Sequence, residues 1–341
     1  ANIFTNILLG ESQTTIVGGA NNTNEIRSRR GRGWFGGQNA GITASENLGV
    51  NTNIDLTGKL DKKDEKTELL LGGDATLNHS INDTRTQSQK ESYSEEATYI
   101  DQDTTNKITH AWDAQMRLEM EYQIDSMNKV ILRPQISYSN SRYAQTNDYT
   151  YERDSVLIND GYQNQNSLQE EISAAIRATY NHKFAKPGRS LTMRANVTFK
   201  NTKGETDTYA FDNLTNAALV DQNTLSHNNA LSYSLRTSFV EPIYGKNHFI
   251  ETVLSLSGSN RNSVKDQYSM DSITGNYEYD SVYSNALTND MYTEQLELNY
   301  RWVNEKMDLT AGARVLATQT HSTTYYGNTL ACDTLYNRWN W

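Results

Sequence analysis

Apolar residues recur at every second position of this chain, in stretches of about ten to fifteen residues. The clearest stretch is 109–122, where alternate residues form one apolar and one polar set. The apolar set is Trp112, Ala114, Met116, Leu118, Met120 and Tyr122, and the polar set is Asp113, Gln115, Arg117, Glu119 and Glu121. A helix, with about 3.6 residues per turn, would mix the two sets, so the pattern predicts a β-strand with two different faces.

The same pattern predicts about eleven strands, joined alternately by short and long connections. The predicted strands are 14–20, 48–56, 69–77, 109–122, 130–138, 172–180, 191–199, 231–239, 250–256, 296–302 and 307–317. Pro134 lies inside one of them. Because proline has no N–H to donate, it predicts a lost ladder hydrogen bond or a β-bulge at that position.

The two kinds of connection differ in length and in composition. The short, charged ones are 59–65, 123–129, 183–188, 241–247 and 303–306, and the long ones, rich in Asn, Asp, Ser, Thr and Tyr, are 80–107, 139–167, 201–229, 258–293 and everything after 318. A compact soluble domain rarely has several unstructured loops of more than about 15 residues. Outer-membrane barrels have short periplasmic turns and long outside loops, into which we expect the strands to extend.

These features predict an all-β, antiparallel transmembrane β-barrel in a bacterial outer membrane. The sequence has no apolar run of about 18 residues, and in lipid only helices and closed barrels satisfy every backbone group. We interpret residues 1–341 as one partial barrel domain without a visible signal peptide, because the strand number is odd and 1–4 and 337–341 resemble pieces of further strands. The soluble alternative is a β-solenoid, which would show a fixed repeat, whereas these strand spacings vary.

Composition narrows the possible partners and chemistry. The formal net charge is −10, which disfavours nucleic acid as a partner. The single Cys332 cannot form an intrachain disulfide. The basic Gly-rich run 27–37 lacks the Lys and helix of a phosphate-binding loop, so we interpret it as a loop between strands.

No residue set predicts a catalytic centre, a metal site or a cofactor. The six histidines, none of which pairs at a spacing of three or four, are His79, His110, His182, His227, His248 and His321. Asp101, Asp103 and Asn106 resemble part of a calcium loop but lack its central Gly and closing Glu. Glu119 and Glu121 are expected about 7 Å apart on one strand face. We interpret them as part of a hydrated wall beside Arg117, and the protein as not an enzyme.

Tyrosines concentrate in the long connections. They are Tyr93, Tyr99, Tyr143, Tyr149, Tyr151, Tyr162, Tyr277, Tyr279 and Tyr283. Tyrosine offers rigid amphipathic area for capturing a ligand such as a glycan, a peptide or a metal chelate. It also packs across the strands of long hairpins. The sequence leaves both interpretations open, and they are compatible.

Several segments resemble the outer-membrane β-barrel family of Bacteroidota, which is related to TonB-dependent receptors. The segments are GANNTN at 19–24 with the Gly-rich 31–37, RLEMEYQIDSMN at 117–128, EPIYGKNHF at 241–249 and LELNYRW at 296–302. The resemblance extends over essentially the whole chain. It implies a barrel of about 22 strands that is filled by a plug.

The resemblance also implies a function and a set of partners. They are energised import or ligand binding at the outer membrane, with membrane lipid, the TonB complex acting through a plug, a surface lipoprotein and an unknown ligand. Neither the plug nor a TonB-contacting segment is recognisable in this sequence. The alternative is a structural or adhesive outer-membrane barrel without transport activity.

Overall fold

The computed structural model describes residues 2–9, 12–21, 42–55, 68–94, 97–245, 247–304 and 307–340, which form fourteen β-strands and no helix. In chain order the strands are β1 (Asn2–Leu9), β2 (Ser12–Asn21), β3 (Ile42–Asp55), β4 (Glu68–Tyr93), β5 (Thr98–Gln123), β6 (Asn128–Arg153), β7 (Val156–Lys183), β8 (Ser190–Asp212), β9 (Ala217–Tyr244), β10 (His248–Met270), β11 (Tyr277–Tyr279), β12 (Asn285–Asn304), β13 (Met307–Tyr326) and β14 (Thr329–Asn340). The prediction of an all-β, antiparallel fold is confirmed.

The strands form one sheet in which each pairs with its neighbours along the chain. The exception is β11, which pairs only with β10, so that β10 continues to β12. Strands β1 and β14 lie at the two edges and do not pair with each other in the described part of the chain. This sheet is therefore open, and closure into a barrel is not seen here.

The predicted number of eleven strands is too low. The three additional strands are β1, β11 and β14. Strands β1 and β14 include residues 2–4 and 337–340, which the sequence already marked as pieces of strands. Strand β11 has only three residues and lies inside the segment 258–293, so it is too short to show any alternation.

Most residues of the long polar connections belong to strands. The interpretation of these whole segments as loops is therefore wrong, because the loops are much shorter. Strands β4 to β9 are 23 to 28 residues long. At about 3.3 Å per residue, such strands measure about 75–90 Å. The expected extension of strands into these segments is confirmed. The alternation fades there because both faces become polar, while the backbone pairing continues.

A tight turn replaces the expected loop at the end of the hairpin formed by β6 and β7. Strands β6 and β7 are joined by Asp154 and Ser155, whose φ angles are 51° and 65°. Two positive φ angles are the requirement of a type I′ turn, which matches the twist of the paired strands. Asp154 also accepts a hydrogen bond from the N–H of Thr98 at 2.9 Å, which ties this turn to the start of β5.

The pairing register keeps one set of alternate residues on the same face from strand to strand. One row across β5 to β9 consists of Met116, Ile136, Ala174, Phe199 and Leu231, each directly opposite the next. We call this side of the sheet the apolar face and the opposite side the polar face. A shift by one residue in any pair would exchange the two faces, so the hydrophobic pattern specifies the register.

Pro134 interrupts the ladder without shifting it. Pairing between β5 and β6 holds the same register at Arg117–Gln135 and at Met120–Leu132, and the pairs between them are missing. Of the two consequences expected from the sequence, the structure shows the lost pairing and not a bulge.

The sheet is a single layer and has almost no interior. The buried hydrophobic residues in the described ranges are Ala97, Ala210 and Val253. No second sheet or helix covers either face within those ranges. The sheet therefore depends on lateral strand pairing, and its faces need another environment to cover them.

Gly258 gives a test of close packing on the apolar face. A Cβ atom at Gly258 would overlap the ring of Tyr233, which lies directly opposite on β9. We expect Gly258→Val to lower the free energy of unfolding by about 1–3 kcal/mol, because the ring must leave its position. Equilibrium unfolding in detergent would measure this loss.

The control is Gly49→Val, at an uncrowded glycine on the polar face of β3. A Cβ at Gly49 meets its nearest atom, the carbonyl oxygen of Val17, at 3.8 Å, which is an ordinary contact. This variant should keep or slightly raise the stability, since valine favours strands. Equal losses in both variants would contradict a specific role for the Tyr233 ring.

Candidate functional site

The apolar face is a broad exposed surface of large side chains. Leu118 is 45% exposed, Ile136 is 52% exposed and Leu298 is 54% exposed, although each lies within a strand of the sheet. Monomeric soluble proteins rarely expose contiguous apolar patches larger than a few hundred Å². This face is therefore suited to an apolar environment or to an extensive partner.

Aromatic side chains border this face at both ends. At the end toward the long hairpins they are Trp112, Tyr138, Phe199, Tyr233 and Tyr292, and at the end toward the short turns they are Tyr122, Tyr180, Phe239 and Tyr300. On β5, Trp112 and Tyr122 are ten residues apart. This spacing corresponds to about 33 Å along the strand.

The polar face of β4, β5 and β6 carries charges that are paired. Arg117 forms an ion pair with Asp74, in which Nε lies 3.2 Å from Oδ2. Glu119 accepts from Nε of Arg133 at 2.9 Å, and Glu121 forms an ion pair with Lys129. The two glutamates therefore have separate cationic partners, which supports a wall of ion pairs over paired acid–base chemistry. Arg117 lies beside them on the same face of β5, as expected, and its own acidic partner is Asp74.

The polar face also contains a large concave site. It encloses about 690 Å³ and extends from β2 to β7. Its polar lining includes Asn51, Asn53, Arg117, Glu119, Arg133 and Arg177. Amides and both signs of charge in one cavity suit a hydrated surface that contacts polar solutes.

At the short-turn end, Glu241 connects two neighbouring hairpins. Its carboxylate accepts from Arg189 at 2.6 and 2.8 Å and from the Nζ of Lys186 at 2.6 Å. Arg189 and Lys186 belong to the turn between β7 and β8, whereas Glu241 belongs to the end of β9. The hydrogen bonds from Arg189 and then Lys186 lower the pKa of Glu241 to about 2. Sequence reasoning missed this contact, because the partners lie 52 and 55 residues away.

At the long-hairpin end, tyrosines pack across strands. Tyr99 stacks on Tyr151 with ring centroids 5.8 Å apart, and Tyr162 stacks on Phe211 at 5.7 Å. Tyr143 lies under the Nζ of Lys107 at 4.0 Å. The packing interpretation therefore holds for these tyrosines, while ligand capture stays a prediction.

Tyr277 has a specific polar partner at this end. Its hydroxyl donates to Asp221 at 2.5 Å, and this hydrogen bond raises the pKa of Tyr277 to about 12. The contact joins the short strand β11 to β9 and fixes a segment that the sequence treated as a loop. Tyr283, in the next turn, stays exposed.

The remaining candidate residues do not converge. Asn106 points to the opposite face from Asp101 and Asp103, because they are separated by an odd number of residues on β5. Among the described residues, no three His, Cys, Asp or Glu side chains form a cluster that could hold a metal ion. Cys332 is free and exposed. The run 27–37 and the turn 59–65 lie outside the described residues.

The histidines have individual partners of different kinds. His79 stacks on Trp112 with ring centroids 4.1 Å apart. The Nδ1 of His182 lies 2.7 Å from the Oδ1 of Asn128, and the Nδ1 of His248 lies 2.6 Å from the hydroxyl oxygen of Tyr300. These contacts place three histidines among the residues that border the apolar face. They suit interfacial packing and not metal ligation.

Comparison with known proteins assigns no family. The sequence matches no protein-family model, and no curated protein is similar enough to count as a relative. Within the described ranges, no helix is long and apolar enough to cross a membrane.

The Glu241 cluster predicts a dependence of stability on pH. The folded-state pKa lies below the ordinary value of 4.5, so the cluster stabilises the protein fully above that value and loses this effect as the pH falls toward 2. We expect Glu241→Gln to lower the unfolding temperature at pH 7 and to have no effect near pH 2. Thermal unfolding across this pH range measures the difference.

The control for this experiment is Glu278→Gln. Glu278 lies on β11 at the opposite end of the sheet, and no ion pair to it is seen among the described residues. This variant should match the unchanged protein at each pH. A difference between Glu241→Gln and the unchanged protein that persists at pH 2 would contradict the ionic explanation.

Proposed function

We propose that this sheet is part of the wall of a transmembrane β-barrel in a bacterial outer membrane. The apolar face contacts lipid, and the polar face lines a water-filled or plugged interior. The observation that supports this most strongly is the broad exposed apolar face of the sheet, which no other layer covers in the described ranges. Lipid supplies the missing cover, and a barrel strand needs this strict alternation.

The dimensions of the apolar band agree with a bilayer. A strand of the length between Trp112 and Tyr122 that is tilted by about 40° crosses about 25 Å, the height of the apolar band of such barrels. Aromatic residues at both borders match the interfacial girdles of these proteins. The long hairpins then extend beyond the membrane on one side only.

The two open edges require closure in this setting. Unpaired N–H and C=O groups in hydrocarbon cost several kcal/mol each. We therefore place β1 and β14 against further strands, in agreement with the barrel of about 22 strands that the family resemblance implies.

The proposed activity is import or ligand binding of the TonB-dependent-receptor type. It is supported by the resemblance of segments 117–128 and 241–249 to that family and by the hydrated, charged character of the polar face. In this role a plug fills the interior and contacts the TonB complex, and a surface lipoprotein assists capture of the ligand. The protein is not an enzyme in this proposal.

A structural or adhesive barrel is the second candidate. It is favoured by the packed tyrosines and hydrogen-bonded turns of the long hairpins, which form stiff projections. Deletion of TonB distinguishes the two. Loss of ligand uptake supports transport, whereas unchanged surface attachment with no uptake supports adhesion.

Cysteine labelling of β5 tests the orientation of the two faces. In a Cys332→Ser background, single cysteines are placed at Met116, Leu118 and Met120 and, as matched controls, at Arg117 and Glu119. A water-soluble maleimide should label the odd positions in outer-membrane vesicles and leave the even positions unlabelled. Equal labelling of both sets would rule out the proposed lipid face.

Epitope insertion tests the direction of the sheet across the membrane. A tag between Asp154 and Ser155 should bind antibody on intact cells, because the long hairpins face outward. A tag between Pro187 and Gly188, in a short turn, should be reached only after the outer membrane is permeabilised. The reverse result would overturn this orientation and, with it, the surface role of the tyrosines.

A further inference from the structure

Four arginines form a row on the polar face, across β6, β7, β8 and β9. Arg133 lies directly opposite Arg177, and Arg194 lies directly opposite Arg236. The two pairs are adjacent, because Arg177 is opposite Asn196, two residues from Arg194. Diagonal neighbours of this kind are about 7–8 Å apart, within reach of long side chains.

Such a row is unfavourable unless anions are present. Like charges directly opposite each other destabilise a sheet. The outer members have carboxylate partners, since Arg133 pairs with Glu119 and Arg236 lies 4.0 Å from Glu297. The two central members do not. No carboxylate in the described part of the chain lies within ion-pairing distance of Arg177 or Arg194, and both are exposed.

Neighbouring charges on the same face are paired, in contrast to Arg177 and Arg194. Glu171, the carboxylate of β7 on the same face, pairs with Lys200 at 2.9 Å instead. On β4 to β6, by contrast, Arg117, Arg133 and Lys129 all have acidic partners. The polar face therefore changes from internally neutralised to positively charged between β6 and β8, beside the cavity that Arg133 and Arg177 line.

We propose that Arg177 and Arg194 bind the oxyanion groups of a polyvalent anionic solute at the polar face. The guanidinium group offers a planar fork of donors that matches carboxylate and phosphate groups. Two such forks carried on backbone positions about 7–8 Å apart favour a ligand with at least two such groups. The positive row would also attract anions from solution into the interior. This inference rests on the proposed function, because it needs the polar face to contact water.

Binding of inorganic tripolyphosphate and of citrate to the detergent-solubilised protein tests the proposal at low ionic strength. Equilibrium dialysis should detect saturable binding of at least one of them, and the tighter one identifies phosphate or carboxylate as the preferred group. The variant Arg177→Gln/Arg194→Gln should weaken this binding about tenfold or more. Arg177→Lys/Arg194→Lys should retain part of it, since lysine keeps the charge and loses the bidentate geometry.

The matched control is Arg85→Gln/Arg142→Gln. These two arginines are also exposed and unpaired within the described ranges, but they lie on the opposite side of β4 and β6. The control should bind as the unchanged protein does. Absence of saturable binding of either anion, or equal losses in both double variants, would overturn the proposal.

Thermal unfolding separates lost binding from lost folding. Removing two like charges relieves repulsion, so Arg177→Gln/Arg194→Gln should unfold at the same or a higher temperature than the unchanged protein. The cysteine labelling of β5 is independent of these arginines. If that labelling alternates and no anion binds, the wall assignment stands and only the anion site is rejected.

Discussion

Lateral backbone pairing is the interaction on which the rest of this structure depends. In most domains a hydrophobic core supplies the main stabilisation, but here the described residues contain almost none. Each inner strand is instead held by the N–H and C=O groups of two neighbours, over as many as 28 residues in β7 and β9. A buried backbone group without a partner is costly, so every strand in the series needs the next one.

The two faces follow from this pairing. Once the register is fixed, the alternation of each strand adds to that of its neighbours, and a single apolar surface extends across the sheet. The charges of the other face can then pair between strands, as Arg117 and Asp74 do. Neither surface exists in an isolated hairpin, so both are properties of the assembled sheet.

The sequence predicts the strands where apolar and polar side chains alternate, and misses them where both faces are polar. The strand 109–122 was evident because Trp112 to Tyr122 repeat every second residue. The upper half of the same strand, toward Thr98, has polar residues on both faces, so only its backbone pairing with β4 reveals it. Asp154 and Ser155 form a two-residue turn without glycine, and such a turn has no strong sequence signal.

The candidate sites were less predictable than the strands for a related reason. Arg117, Glu119 and Glu121 predict from the sequence that one face of β5 is charged. The sequence does not predict which residues of β4 and β6 pair with them. The contacts of Glu241 and the opposition of Arg133 to Arg177 depend on register between segments about 50 residues apart in sequence. Periodicity within one strand does not contain that information.

The strands are much longer than the apolar band. Each long strand therefore has one part inside the band and one part beyond it, and the two parts are stabilised differently. The aromatic borders on β5, Trp112 and Tyr122, are ten residues apart, whereas the strand itself has 26 residues. The part of the hairpins beyond this band is stabilised by stacked tyrosines and by turn hydrogen bonds such as that between Asp154 and Thr98. Continuous pairing makes the long hairpins rigid extensions of the same sheet. In the proposed barrel, a ligand that contacts the long hairpins would therefore meet a surface whose position is set by the same register that aligns the arginine row.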